Sequence, residues 1–215
     1  METDRIAVKP FAISAVALIV VESGGILALS ACPELTPMGV LLGLRMLEIS
    51  LFFGILSIWG DGPSAVGLTR ELFWSGLARG IRWSLIFGAV TAGTFAVLIF
   101  AGINPLQLLR VHLPAAPLQR LVFFIAGALI GPLAEEFFFR GLLYGFLRRW
   151  GLVTALVVSN LLFVLMHPLA GSIPVPQIVG GIVFTLAYER KGELMAPVVI
   201  HILGNTTLFS LSLFN

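Results

Sequence analysis

Charge is the scarcest property of this chain. Of its 215 residues only 11% are Asp, Glu, Lys or Arg, while 58% are hydrophobic; a soluble domain carries about 25% charged residues. So much apolar surface cannot be hidden in one soluble core, and lipid is the expected solvent. Cysteine is nearly absent. Cys32 stands alone, which excludes an internal disulfide and a cysteine-built metal site. There is no basic run and the net charge is only +2, so a nucleic-acid partner is not expected. No internal repeat, low-complexity tract or soluble domain interrupts the sequence. The N-terminal METDRIAVKP is short and charged and lacks a small-residue cleavage site before the apolar run. That run is therefore expected to be a retained helix.

Crossing the hydrocarbon layer takes about twenty apolar residues. Runs of suitable character lie at 11–31, 38–59, 82–103, 119–147, 152–167, 175–189 and 194–213. They predict an all-α, polytopic membrane helix bundle of about seven transmembrane helices. The link from Gly60 to Arg82 is the longest with polar content, and its Trp74 and Trp83 suit an interfacial helix at headgroup level. Basic residues set the orientation. Arg5, Lys9, Arg70, Arg79, Arg82, Arg148, Arg149, Arg190 and Lys191 fall on one side of that arrangement, against Arg110 and Arg120 on the other. Nine against two predicts a cytoplasmic N-terminus and an outside C-terminus, in a bacterial plasma (inner) membrane.

Against this background the buried polar residues stand out. Glu135, Glu136 and Arg140 lie in the fourth run, Asn160, Phe163 and His167 in the fifth, and His201 and Asn205 in the seventh. Their spacings of three and four place each group on one helix face. Counted at about 1.5 Å per residue, the three groups reach depths within about 10 Å of one another. Ionisable groups at such depth usually face the bundle interior and are functional. The adjacent glutamates point about 100° apart and so divide the labour. Glu136 has Arg140 one turn on as a partner. Glu135 has none on its own helix and is the candidate general base for activating water. His167 can share that water, and His201 with Asn205 can donate to an oxyanion. These are the parts for peptide hydrolysis without a serine or cysteine nucleophile.

Structural roles compete at several positions. Glu136–Arg140 alone reads as a buried ion pair. Phe163 reads as core in either case, Asn160 as interhelical glue, and Phe137–Phe139 as a lipid-facing and packing surface. Glu22, Arg45 and Glu48 read as an ion pair within or between the first two helices. The conjunction of Glu135 with His167, His201 and Asn205 favours function.

These residues also carry a resemblance. EEFFFR matches an EExxxR motif, FVLMH matches FxxxH, and HILGN matches HxxxN. In that order, over roughly residues 118–212, they resemble the CPBP (Abi, or CAAX-protease) family of intramembrane proteases. The resemblance divides one integrated membrane domain into variable N-terminal helices, 1–117, and a catalytic helical core, 118–215. It implies cleavage of a peptide bond near a substrate's C-terminus or membrane anchor. By motif, Glu135 is the base, Glu136, Arg140 and Phe163 support it, His167 helps activate water, and His201 with Asn205 forms the oxyanion site. The expected partners are the bilayer and a membrane-embedded or lipidated protein or peptide. A metal-free glutamate mechanism, with no cofactor, is preferred; the alternative is zinc held by Glu135, His167 and His201. Two further readings remain, a non-enzymatic bacteriocin-immunity or scaffold protein of the same fold and a small transporter. The filled motif positions count against the first, and the lack of an inverted repeat against the second.

Overall fold

The computed structural model describes residues 6–106, 111–167 and 173–214. Arg5 and Arg110 of the charge count, and residues 168–172 of the link after His167, lie outside them. The described residues form seven helical rods and no strand. These are α1 (Val8–Ala31), α2 (Pro37–Trp59), α3 (Arg70–Phe100), α4 (Pro117–Trp150), α5 (Leu152–Leu165), α6 (Val175–Lys191) and α7 (Met195–Leu211). A 3₁₀ turn, Gly62–Val66, joins α2 to α3.

The ends follow local chemistry. Pro37 and Pro117 open α2 and α4 at the first helical position, where a missing N–H costs nothing. Thr69 caps α3 by accepting from the Leu72 amide at 3.2 Å. Gly192 ends α6 in the left-handed region, at φ 66°.

Four stretches are long and apolar enough to cross a membrane: Val8–Ala31, Pro37–Trp59, Gly62–Phe100 and Pro117–Trp150. α5 and α7 are apolar but shorter. Fourteen residues of α5 reach roughly 21 Å, less than a hydrocarbon core of about 30 Å. The expected count of about seven crossings is thus not reached by length and composition, although seven rods are present. Hydropathy alone cannot tell a short helix buried among its neighbours from one that spans.

Two expectations need correction. The Gly60–Arg82 link is not a loop with a separate interfacial helix, because α3 starts at Arg70 and runs on unbroken. Its charge is tolerated there because Glu193, buried beside α3, takes Arg79 Nε at 2.6 Å and the Ser75 hydroxyl at 2.8 Å. The Phe137–Phe139 run does not face lipid, since all three rings are buried. Phe137 and Phe138 pack on Phe52 of α2, and Phe139 meets Phe163 of α5 edge-on.

α4 is the central helix. Every residue from Phe137 to Tyr144 is buried, as expected of a helix apolar on all sides and enclosed by others. α1, α2, α5 and α6 pack around that segment, and α7 packs on the turn before it. α7 is in turn backed by α3. Gly80 lets those two backbones meet, since a Cβ there would stand 2.7 Å from the Val199 side chain and 2.8 Å from the Ala196 carbonyl. At the end of α4, Tyr144 and Arg148 both bind Glu189 of α6, at 2.7 and 2.9 Å.

Candidate active site

α4 leaves regular α geometry twice, at Ile125–Ile130 and Phe137–Tyr144, where the turns widen to π-helix. Between them lies the α-helical turn Gly131–Glu136 that carries the two glutamates. In the first wide turn the Gly131 amide bonds the Ala126 carbonyl, five residues back. In that register the Gly127 carbonyl would fall to residue 132. Pro132 has no N–H to give, and a buried carbonyl needs a donor. Asn205 of α7 supplies it, Nδ2 to the Gly127 oxygen at 2.8 Å. The Asn205 amide thus ties α7 to α4 beside the glutamate turn. A carboxamide has two N–H donors, so this bond engages one of them.

The adjacent glutamates point different ways, as their spacing requires. The Glu136 side chain is wholly buried. Its Oε1 accepts from Arg140 Nη1 at 2.9 Å and meets His201 Nδ1 at 2.8 Å. Arg140 also donates to the Gly181 carbonyl at 3.2 Å, and its guanidinium lies over the Phe163 ring at 4.4 Å. Thr185 bonds the same carbonyl. A Cβ at Gly181 would overlap the Asn160 carboxamide oxygen, so a larger residue there requires Asn160 to move. Asn160 itself donates to Ile178 at 3.4 Å, in keeping with an interhelical role.

Glu135 is partly exposed, 22% of its side chain. Its Oε2 is 3.8 Å from His167 Nε2 and 3.9 Å from His201 Nε2. Both imidazoles are held from behind. His167 Nδ1 lies 2.7 Å from the Phe163 carbonyl, and because a carbonyl can only accept, that nitrogen carries the proton and Nε2 offers a lone pair. His201 is held at Nδ1 by Glu136 and stacked on Phe184 at 4.6 Å. Phe163 therefore does more than fill core: it carries Arg140 on its face and orients His167 through its carbonyl. The motif residues Glu135, Glu136, Arg140, Phe163, His167 and His201 converge on one site from α4, α7 and the C-terminal end of α5.

Separations of 3.8 and 3.9 Å are too long for direct hydrogen bonds, and shorter than the roughly 4.6 Å that one water bonded to both partners at a tetrahedral angle would set. Tetrahedral zinc, with bonds of about 2.0–2.1 Å, would set its donors roughly 3.3 Å apart. The two spacings are wider than that, and no group of three His, Cys, Asp or Glu among the described residues is arranged to hold a metal.

The Glu136–His201 contact was not legible in the motifs, since the two residues lie 65 positions apart. Glu193 and Glu189, which pin α3 to the start of α7 and α4 to α6, were also missed. Their only sequence signal is an acidic residue just before or after Gly192.

The profile of the family described as Type II CAAX prenyl endopeptidase Rce1-like matches residues 117–207. The chain is similar to the membrane-embedded CAAX protease MroQ of Staphylococcus aureus (strain USA300). The two are 36% identical over 101 residues, 44% of this chain and 40% of that protein. It is also similar to the UPF0177 protein YaiH of Lactococcus lactis subsp. lactis (strain IL1403), 32% identical over 104 residues, 46% of this chain and 43% of that protein. The matches thus span about two fifths of either relative's length. No solved structure matches the chain. Residues 117–207, in which every polar residue of the site from Glu135 to Asn205 falls, are thus the part of this chain that is similar to the Rce1-like family of CAAX prenyl endopeptidases.

Proposed function

We propose that the protein is an intramembrane endopeptidase that hydrolyses a peptide bond near the C-terminus or membrane anchor of a lipidated or membrane-embedded protein or peptide. The observation that carries this reading is the partly exposed Glu135 carboxylate with two imidazole nitrogens within 3.9 Å of it. A water placed there gives one proton to Glu135 while its second hydrogen is held by His167 Nε2. The water oxygen then attacks the carbonyl carbon, and the carbonyl π pair moves onto oxygen. The oxyanion accepts from His201 Nε2–H and the second N–H of Asn205. Donation from His201 requires a proton on both ring nitrogens, and Glu136 at Nδ1 is the counter-charge for that cation. Collapse of the adduct breaks the C–N bond, and Glu135 returns its proton to the leaving amine. No metal enters this scheme.

The substrate class is tested by comparing the C-termini of membrane proteins in cells carrying wild-type protein or Glu135→Gln. A truncated species present only with wild type supports the reading. Identical sets of C-termini, with both proteins inserted and equally abundant, count against it.

The same reading places the N-terminus in the cytoplasm and the C-terminus outside, from the charge asymmetry. In a Cys32→Ser background, Ile173→Cys, an exposed position, should react with an impermeant thiol reagent added outside intact cells. Trp150→Cys, also exposed, should not. The opposite pattern overturns the orientation.

A further inference from the structure

The end of the bundle where α4 begins and α7 stops carries features that the proposed chemistry does not use. The chain leading into α4 is tied across to α7. The Val111 amide donates to Ser212 Oγ at 3.2 Å, and the Ser212 hydroxyl donates to the Leu208 carbonyl at 2.9 Å. Beside this tie lies a cavity of about 290 Å³, with His112, Arg120 and Ser212 among its lining residues. Arg120 is partly buried and held in place: Nε donates to the Pro114 carbonyl and Nη2 to the Ala115 carbonyl, both at 3.1 Å. Those bonds engage two of the five N–H groups of a guanidinium. No carboxylate among the described residues pairs with Arg120, and the exposed His112 has no hydrogen-bond partner among them. A fixed guanidinium with open N–H groups is the side chain best suited to a phosphate.

A second hollow adjoins the first at Arg120. It is a groove of about 320 Å³ along α4, lined by Pro117, Arg120, Leu121 and Phe124. Those positions are three and four apart and make one stripe of the helix. Apart from Arg120 the stripe is apolar, and it runs from the helix start toward its apolar middle. Arg120 thus stands where a polar cavity meets an apolar groove, which is the form of an anionic head with an alkyl chain below it. The charge count puts Arg120 on the side poor in basic residues, so an anionic lipid there would be drawn by this site and not by a general field of positive charge.

We propose that this end of the protein binds one anionic glycerophospholipid, with its phosphodiester on Arg120 and His112 and an acyl chain along Leu121 and Phe124. The lipid would bridge the start of α4 and the end of α7. About two turns further in on both helices is the Asn205–Gly127 bond, so a lipid held there braces the same joint from its end.

The test is binding, and it needs no cleavage. The full chain, purified in detergent, is titrated with dioleoyl phosphatidylglycerol, and bound lipid is counted by native mass spectrometry. Wild type should take up one phosphatidylglycerol saturably, in preference to dioleoyl phosphatidylcholine, whose head is neutral overall. Arg120→Gln should weaken that binding about tenfold or more, the worth of a hydrogen bond to a charged group. His112→Ala, a change at an exposed side chain, should weaken it about threefold or more. Arg190→Gln removes an exposed charge from the opposite end and should leave binding within about twofold, because so distant a charge is screened. Inorganic phosphate should not displace the lipid, since it has no chain for the groove. If Arg120→Gln does not fold, the comparison of His112→Ala with Arg190→Gln decides. Equal losses in the Arg120 and Arg190 variants, uptake without saturation, equal binding of phosphatidylcholine, or displacement by inorganic phosphate would each overturn the proposal.

Discussion

The two parts of this molecule bury themselves to different degrees. In the apolar stretches of α1 and α2 only 22% of residues are buried, and in that of α3 none, whereas in α4 the share is 44%. α1 to α3 are a lipid-facing wall, while α4 is enclosed and carries both glutamates and Arg140. The difference shows where polar chemistry can be kept in a membrane. Glu136 and Arg140 sit with side chains 0% and 1% exposed because α5, α6 and α7 surround them with donors and aromatic faces. The wall meets the enclosed part at Phe52 of α2, which packs on Phe137 and Phe138, and at the Ser75, Arg79 and Gly80 patch of α3, which meets Glu193 and the start of α7.

Substitutions in the enclosed part should therefore cost far more than substitutions in the wall. The largest effect is expected on rate. His167→Ala and His201→Ala should each slow cleavage by about 10²-fold or more, the scale for losing a positioned donor or acceptor at the reacting centre. Single-turnover assays check this, and a loss below threefold for either removes that residue from the mechanism.

Stability comes next. Glu136→Ala leaves Arg140 buried and unpaired, and Arg140→Ala does the same to Glu136. Breaking a buried pair costs about 3–5 kcal/mol, so both should melt well below wild type in one detergent. The double variant should lose less than the sum of the singles. Glu135→Ala, at a partly exposed carboxylate without a direct hydrogen bond among the described residues, should lose much less. Simple additivity, or Glu135→Ala as the worst of the set, would reverse the roles of the two glutamates.

Smaller effects sharpen the contrast. Asn205→Ala takes the donor from the Gly127 carbonyl and should cost about 1–3 kcal/mol, a loss that an oxyanion role alone would not produce. Within α3, Gly80→Leu should cost about 1–3 kcal/mol by forcing the helix off α7. Gly88→Leu, on the same helix with nothing within 4 Å of the added Cβ, should stay within about 0.5 kcal/mol. Equal melting temperatures for the last two would mean that α3 does not pack on α7 as described.

Much of this organisation was legible in the sequence. The apolar runs locate all seven rods, and the EExxxR and FxxxH spacings put Glu136 beside Arg140 and Phe163 beside His167 because helical periodicity is local. What was hidden is non-local or concerns backbone register. Hydropathy reads composition, so it missed the π-turns that flank the glutamates, although Pro132 marks the first of them. It began α3 too late, because Arg70, Arg79 and Arg82 resemble a loop until Glu193 and the Thr69 cap are seen. It also assigned Phe137–Phe139 partly to lipid, since a phenylalanine buried against Phe52 or Phe163 is indistinguishable in sequence from one in hydrocarbon. The Asn205–Gly127 bond joins residues 78 positions apart, and no spacing rule reaches so far.

The central claim is that Glu135, not a metal, activates the water. Its most direct test is turnover of a peptide substrate, found by the C-terminal comparison, by purified protein in liposomes after exhaustive chelation. Wild type should keep its rate after chelation, while Glu135→Gln, folded and inserted to the same extent, should fall to background. Near-normal turnover by Glu135→Gln, or wild-type activity that disappears on chelation and returns with added zinc, would contradict the account.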